Sequence, residues 1–128
     1  MLYVFPAGTR AVAVRAYRRP YDDPIAVAAG DAVQPDPLRS PGTDLLGWIW
    51  CRAADGREGW VPEAWLEPRD GQLRLRRAFS ALELGMEPGE VVELRFSESG
   101  FVFCRKADGT EGWVPDAVLA LHPAAARG

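Results

Sequence analysis

A chain of 128 residues with a hydrophobic fraction of 48% and a net charge of −3 has enough apolar material for packed cores. It lacks the clear basic excess of a nucleic-acid binder, and no apolar run is long enough to cross a membrane, so neither partner is expected. Two cysteines without zinc-like spacing and one histidine, His122, imply no metal site and no cofactor.

In chain order, Met1-Leu2-Tyr3-Val4-Phe5 is apolar but is interrupted by Pro6 and Gly8, with no basic segment before it. It does not read as a secretory leader. Residues 1–9 are expected as an N-terminal extension, a strand leading into or added onto the first domain.

From residue 10 onward the chain says most things twice. Cys51-Arg52-Ala53-Ala54-Asp55-Gly56-Arg57-Glu58-Gly59-Trp60-Val61-Pro62-Glu63-Ala64-Trp65-Leu66 returns at Cys104–Leu119, an offset of 53, with twelve of sixteen positions identical. Gly30-Asp31 is answered by Gly89-Glu90 at an offset of 59, and Arg15-Ala16-Tyr17 by Arg77-Ala78-Phe79 at 62. Length differences of this kind fall in loops, which absorb them cheaply. The division predicts one domain at 10–68, a joint at 69–71 next to Pro68, a second domain at 72–122, and a flexible tail at 123–128.

Within each copy the elements read as strands. Trp48-Ile49-Trp50-Cys51 and Phe101-Val102-Phe103-Cys104 are aromatic and β-branched, and each runs into an Asp-Gly pair before a second apolar run. Gly56 and Gly109 supply the positive φ of a tight hairpin turn. Pro62 and Pro115 lack an N–H and end their strands. Glu63–Trp65 and Asp116–Val118 then predict single helical turns, with Leu66 and Leu119 returning to the core, and Ala117–Ala126 carries a weak helical pattern. Alternation puts Ile49 and Cys51 on the core face and Trp48 and Trp50 on the other, exposed face, while Trp60 and Trp113 are expected inside. The cysteines, one per copy, are expected to be buried reduced thiols, which suits a cytoplasmic location.

Arg-Ala-aromatic, an acidic loop, Gly-acid, an aromatic opening a strand, Gly-Trp-Val-Pro and an aromatic three residues after the proline together resemble an SH3 domain, here of bacterial type and present twice. The resemblance covers roughly 10–122. It implies an all-β fold of two tandem small SH3-like β-barrels. It also implies a non-catalytic module that binds a protein or peptide segment, proline-rich or basic.

Position by position, the resemblance assigns a groove to the first copy. Tyr17 takes the second groove tyrosine, Arg15 the place of the first, Trp48 the groove tryptophan, Pro62 the groove proline and Trp65 the closing aromatic. Asp22 and Asp23 fall at the acidic loop tip, where they would meet a basic ligand residue. Phe79, Phe101, Pro115 and Val118 are the second copy's equivalents. That set has lost the hydrogen-bonding tips, which makes the second copy the structural one. Arg15 and Arg77, standing where a tyrosine is usual, would favour a carboxylate or phosphate, or stack on a ring.

Alternatives remain open. The grooves are either free or occluded in a structural or oligomerising tandem. An aromatic cage of Tyr17, Trp48 and Trp65 would hold a cation, and some bacterial relatives bind cell-wall peptides. The loop Gln34–Gly47, with three prolines, is either a surface excursion or a lid, and Arg74, Arg76 and Arg77 form the wet face of a strand. With no nucleophile–base pair and no phosphate-cradling loop, no catalytic residue is expected.

Overall fold

The computed structural model describes residues 2–39 and 47–121. Thirteen short strands are present among them. They are β1 (Tyr3–Val4), β2 (Arg10–Ala13), β3 (Ala26–Val27), β4 (Ala32–Pro35), β5 (Trp48–Ala53), β6 (Glu58–Pro62), β7 (Leu66–Arg69), β8 (Gln72–Leu75), β9 (Phe79–Ser80), β10 (Val91–Glu98), β11 (Phe101–Arg105), β12 (Glu111–Pro115) and β13 (Leu119–Leu121). Single 3₁₀ turns occupy Glu63–Trp65 and Asp116–Val118. The second turn runs straight into β13, so among the described residues of Ala117–Ala126 the helical pattern goes no further than Val118; the rest of that pattern and the 123–128 tail lie outside the described residues.

Both expected hairpins form. β5 pairs with β6 (Trp48↔Pro62, Trp50↔Trp60) and β11 with β12 (Phe101↔Pro115, Phe103↔Trp113). At each tip the aspartate does more than tolerate the turn: Asp55 Oδ1 accepts the Arg57 N–H at 3.0 Å and Asp108 Oδ1 the Thr110 N–H at 2.9 Å. These bonds hold both carboxyls below the usual carboxylate range. Gly56 and Gly109 follow at φ 89° and 90°.

The chain divides into two compact units, but they are not the two sequence copies. One comprises the residues up to Pro20 together with those from Glu83 onward, and the other is Tyr21–Leu82. In the split unit the sheet runs β12-β11-β10-β2-β13, with β1 also paired to β10. β2, from the first copy, therefore lies between two strands of the second copy (Val12↔Val91, Ala13↔Leu119). In the continuous unit the sheet runs β6-β5-β4-β8-β7, and β8, from the second copy, lies between two strands of the first (Val33↔Leu73, Leu66↔Leu75). β3 and β9 form a separate pair in the same unit. The N-terminal strand is also added to the second copy, not the first, through Tyr3↔Ser97 and Val4↔Phe96.

The boundaries 10–68 and 72–122 are thus units of sequence, while contact follows another partition. The physical reason is the segment expected as a joint. Asp70 and Gly71 have φ of 55° and 78° and close a two-residue hairpin between β7 and β8, with Arg69 opposite Gln72. Positive φ at both central residues matches the right-handed twist of the flanking strands, which is why Asp-Gly favours this turn. The end of the first copy and the start of the second are hydrogen-bonded neighbours, and β2 finds its ladder in the other unit.

The sheets are also open where closed barrels were expected. β6 and β7 stand at opposite edges of one sheet, and β12 and β13 at opposite edges of the other. A proline without an N–H and a 3₁₀ turn separate each pair. The core of the split unit holds Ala11, Ala13, Leu84, Met86, Val92, Leu94, Val102, Cys104, Val114 and Val118.

The strand exchange has a direct test. Ala32 and Arg74 are cross-strand partners, a relation that puts Cα atoms about 4.5–5.5 Å apart, within disulfide reach. The doubly substituted chain Ala32→Cys/Arg74→Cys is expected to oxidise to a cross-linked monomer, since the native cysteines are fully buried. Mass spectrometry of the cross-linked peptide after oxidation checks this; its absence would mean that β8 does not lie beside β4.

Candidate functional site

The ring positions of the expected groove gather in the continuous unit, with one substitution. Trp48, Pro62 and Trp65 are joined there by Phe79 from β9, whose ring lies 6.3 Å from that of Trp48 and 5.4 Å, edge-on, from that of Trp65. Tyr17 belongs to the other compact unit. Phe79 came with β8 and β9 and takes the place in the set that the sequence assigns to Tyr17.

These rings are not exposed. Trp48 retains 7% of its accessible surface, Trp65 5%, Phe79 5% and Pro62 under 2%. The alternation reading of β5 is therefore corrected: Trp48 and Trp50 are buried while Ile49 is only half-buried. Strand geometry assigned the two faces correctly as opposites, but the second face is covered too, by Phe79 against Trp48 and by Tyr21 against Trp50 at 5.5 Å. The second copy keeps the expected contrast, with Val102 and Cys104 buried and Phe101 and Phe103 half-buried. Of the two tryptophans expected inside, Trp113 is buried, against Phe96 and Phe103, and Trp60 only half-buried.

Arg77 stacks on the groove. Its guanidinium carbon lies 4.4 Å from the centroid of the Trp65 ring, one of the alternatives that an arginine at a tyrosine position allows. Arg15, its counterpart, is exposed in the split unit. The acidic tip is also engaged within the chain: Asp23 receives the Arg57 guanidinium at 3.2 Å, and the same guanidinium reaches Asp55 at 2.9 Å. Asp22 is exposed. Arg74 is not solvated in the expected manner, since it donates to the Gly30 carbonyl at 2.8 Å and to Gln72.

In the split unit Tyr17 is bridged to Met86 by a reciprocal pair of backbone hydrogen bonds, each 2.8 Å, and packs against the core cluster. Its hydroxyl donates to Glu83 Oε1. Nothing local in the sequence marks Glu83, because the pairing spans 66 residues. Val118 is buried, Phe101 and Pro115 half-buried. Cys51 and Cys104 are free and buried, and burial pushes each thiol up to about 12, which makes them inert as nucleophiles.

Among the described residues, no group of three His, Cys, Asp or Glu side chains converges to hold a metal, and no helix is long and apolar enough to cross a membrane. With this geometry in hand, residues 10–69 match the family model of the variant SH3 domain, so this stretch is an SH3-like domain in an all-β chain. SH3-like domains are generally non-catalytic modules that bind proteins or peptides. No curated protein and no solved structure matches the chain.

Burial raises Glu83 above the usual carboxylate range, and the Tyr17 bond partly offsets that; Tyr17 itself is raised by burial and by its bond to Glu83. Both groups thus favour their protonated forms on folding. Each contribution is complete below the unfolded titration and is lost as pH rises, for Glu83 from the carboxylate range upward and for Tyr17 above about 10. Tyr17→Phe removes the bond that lowers Glu83. Its side-chain carboxyl is then expected to titrate at higher pH, with a stability loss of about 1–3 kcal/mol, measured by carboxyl carbon NMR and urea unfolding. Identical titration in both proteins would dismiss the bond.

Proposed function

We propose that the protein is a non-catalytic protein-interaction module in which the aromatic positions of the SH3-like groove serve as internal packing. The observation that supports this reading is the burial of Trp48, Pro62, Trp65 and Phe79. A proline-rich helix is recognised by ring faces that are open to it, and rings with 5–7% of their surface exposed offer very little. The second copy is read as an SH3-like domain too, on the strength of its shared hairpin phrase and its identical strand–turn–strand ending.

A second reading keeps a peptide groove on the continuous unit. It is favoured by the gathering of Trp48, Pro62 and Trp65 around Phe79, with Arg77 stacked at its edge. A ligand there would carry a carboxylate or phosphate for Arg77 in place of a tyrosine's hydrogen bond.

Trp48→Ala separates the two. As packing, Trp48 leaves a cavity whose cost is about 3–5 kcal/mol, seen as a lower urea midpoint, and the wild-type indole signals of Trp48 and Trp65 resist broadening by a soluble paramagnetic probe. Strong broadening, together with micromolar binding of a proline-rich peptide that Trp48→Ala abolishes while still folded, would replace this reading by the groove.

A further inference from the structure

The outer face of the split unit carries a row of charge that crosses three strands. Val92 and Leu94 of β10, Ala11 of β2 and Cys104 of β11 belong to the core, so alternation sends Glu93, Arg10 and Arg105 to the opposite face. Register sets them side by side, because Glu93 is the cross-strand partner of Arg10 on one flank and of Arg105 on the other. Together with Lys106 they line an open hollow of about 470 Å³.

A matching hollow of about 600 Å³ exists in the continuous unit. By the repeat offsets its wall has Gln72 for Arg10, Gln34 for Glu93, Arg52 for Arg105 and Ala53 for Lys106. The shape thus belongs to the fold, while most of the charge belongs to one unit. Arg52 is paired with Glu58 at 3.9 Å, and the equivalent pair is not formed in the split unit. There Arg105 stands in register between Glu93 and Glu111, yet both carboxylates turn to Arg95, at 4.0 and 3.3 Å. Lys106 is taken by Glu90 at 3.1 Å. Among the described residues, neither the Arg10 nor the Arg105 guanidinium has an ion-pair or hydrogen-bond partner, and both residues are exposed.

We propose that this hollow binds an acidic peptide segment of a partner protein, with Arg10 and Arg105 each receiving one carboxylate. Their Cα positions lie two strand spacings apart, about 10 Å. Side chains on one face of an extended peptide repeat every ~7 Å, so acids at alternate positions reach the two guanidiniums with little bending of the long arginine arms. Glu93, between them, repels a continuous polyanion, and the net charge of −3 opposes one at long range. A segment whose middle residue is uncharged avoids that clash. The proposal rests on the reading of the chain as a protein-interaction module and gives it a surface and a class of partner segment, in a different compact unit from Trp48, Pro62 and Trp65.

The test titrates the full chain with acetyl-Glu-Ala-Glu amide and, in parallel, with acetyl-Gln-Ala-Gln amide, inorganic phosphate and a thymidine oligonucleotide. Binding is read from the backbone amide signals of Val91–Glu93 and Arg105–Ala107. The acidic peptide is expected to move these signals saturably and to bind more tightly than the other three. Arg10→Gln and Arg105→Gln should each weaken it about two- to fivefold, and together about tenfold, with unchanged urea midpoints because both side chains are exposed. Glu93→Gln should strengthen it by a similar factor, and Arg52→Gln, in the matching hollow, should leave it as it was. Equal binding of the two peptides, tighter binding of phosphate or oligonucleotide, or an affinity indifferent to Arg10 and Arg105 would overturn the proposal. Such a failure leaves the module reading to its own test on Trp48 and Trp65, and a failure there leaves these titrations untouched.

Discussion

The two-residue Asp70–Gly71 turn is the constraint on which the rest of this structure depends. Both residues adopt positive φ, so the chain reverses immediately and β8 has to hydrogen-bond to β7. Once β8 also lies against β4, the place beside β4 is taken. β2 must satisfy its backbone groups elsewhere and does so between β10 and β13. Everything about the rings follows: Phe79 travels with β8 to Trp48 and Trp65, and Tyr17 travels with β2 to Glu83.

Duplication makes such an exchange possible, since each sheet offers a place that either first strand fits in outline. Side-chain volume decides between them. β2 presents Ala11 and Ala13 to a core that already contains Leu84, Met86 and Leu94, whereas β8 presents the larger Leu73 and Leu75, opposite Val33 and Leu66. Ala13 and Leu75 are equivalent in the repeat. Returning each strand to its own copy would crowd Leu75 into the Ala13 site, at about 1–3 kcal/mol, and leave a cavity where the buried Leu75 had been, at about 2–5 kcal/mol. The hairpin turn starts the exchange, and the mismatch in volume makes it one-way.

Local chemistry was legible in the sequence and long-range ownership was not. The Asp-Gly hairpins, the proline stops, the single 3₁₀ turns and the buried thiols follow from residues within a few positions of one another. Period-two alternation also identified the two faces of β5, but it says only that Trp48 and Ile49 face opposite ways. Whether a face is wet depends on what arrives to cover it, and Tyr21 reaches Trp50 from 29 positions away and Phe79 reaches Trp48 from 31. The Asp70-Gly71 pair carried the same signal as the other two Asp-Gly turns. Its position between the copies made a joint the simpler reading, and that one choice misassigned the partners of Tyr17.

The asymmetry between the copies then acquires a physical meaning that the aligned sequences do not display. Arg15 and Arg77 are equivalent residues with different fates: Arg77 stacks on Trp65, while Arg15 is exposed, on a strand end whose neighbour Val14 hydrogen-bonds to Val118. An arginine without an aromatic face has no cation–π contact to gain and keeps its hydration. The difference between Trp65 and Val118 therefore decides what the arginine of the opposite copy does. In the continuous unit both Trp50 and Trp65 carry an arginine of their own chain, Arg39 and Arg77, so the ring faces left over from packing are already spoken for by a guanidinium.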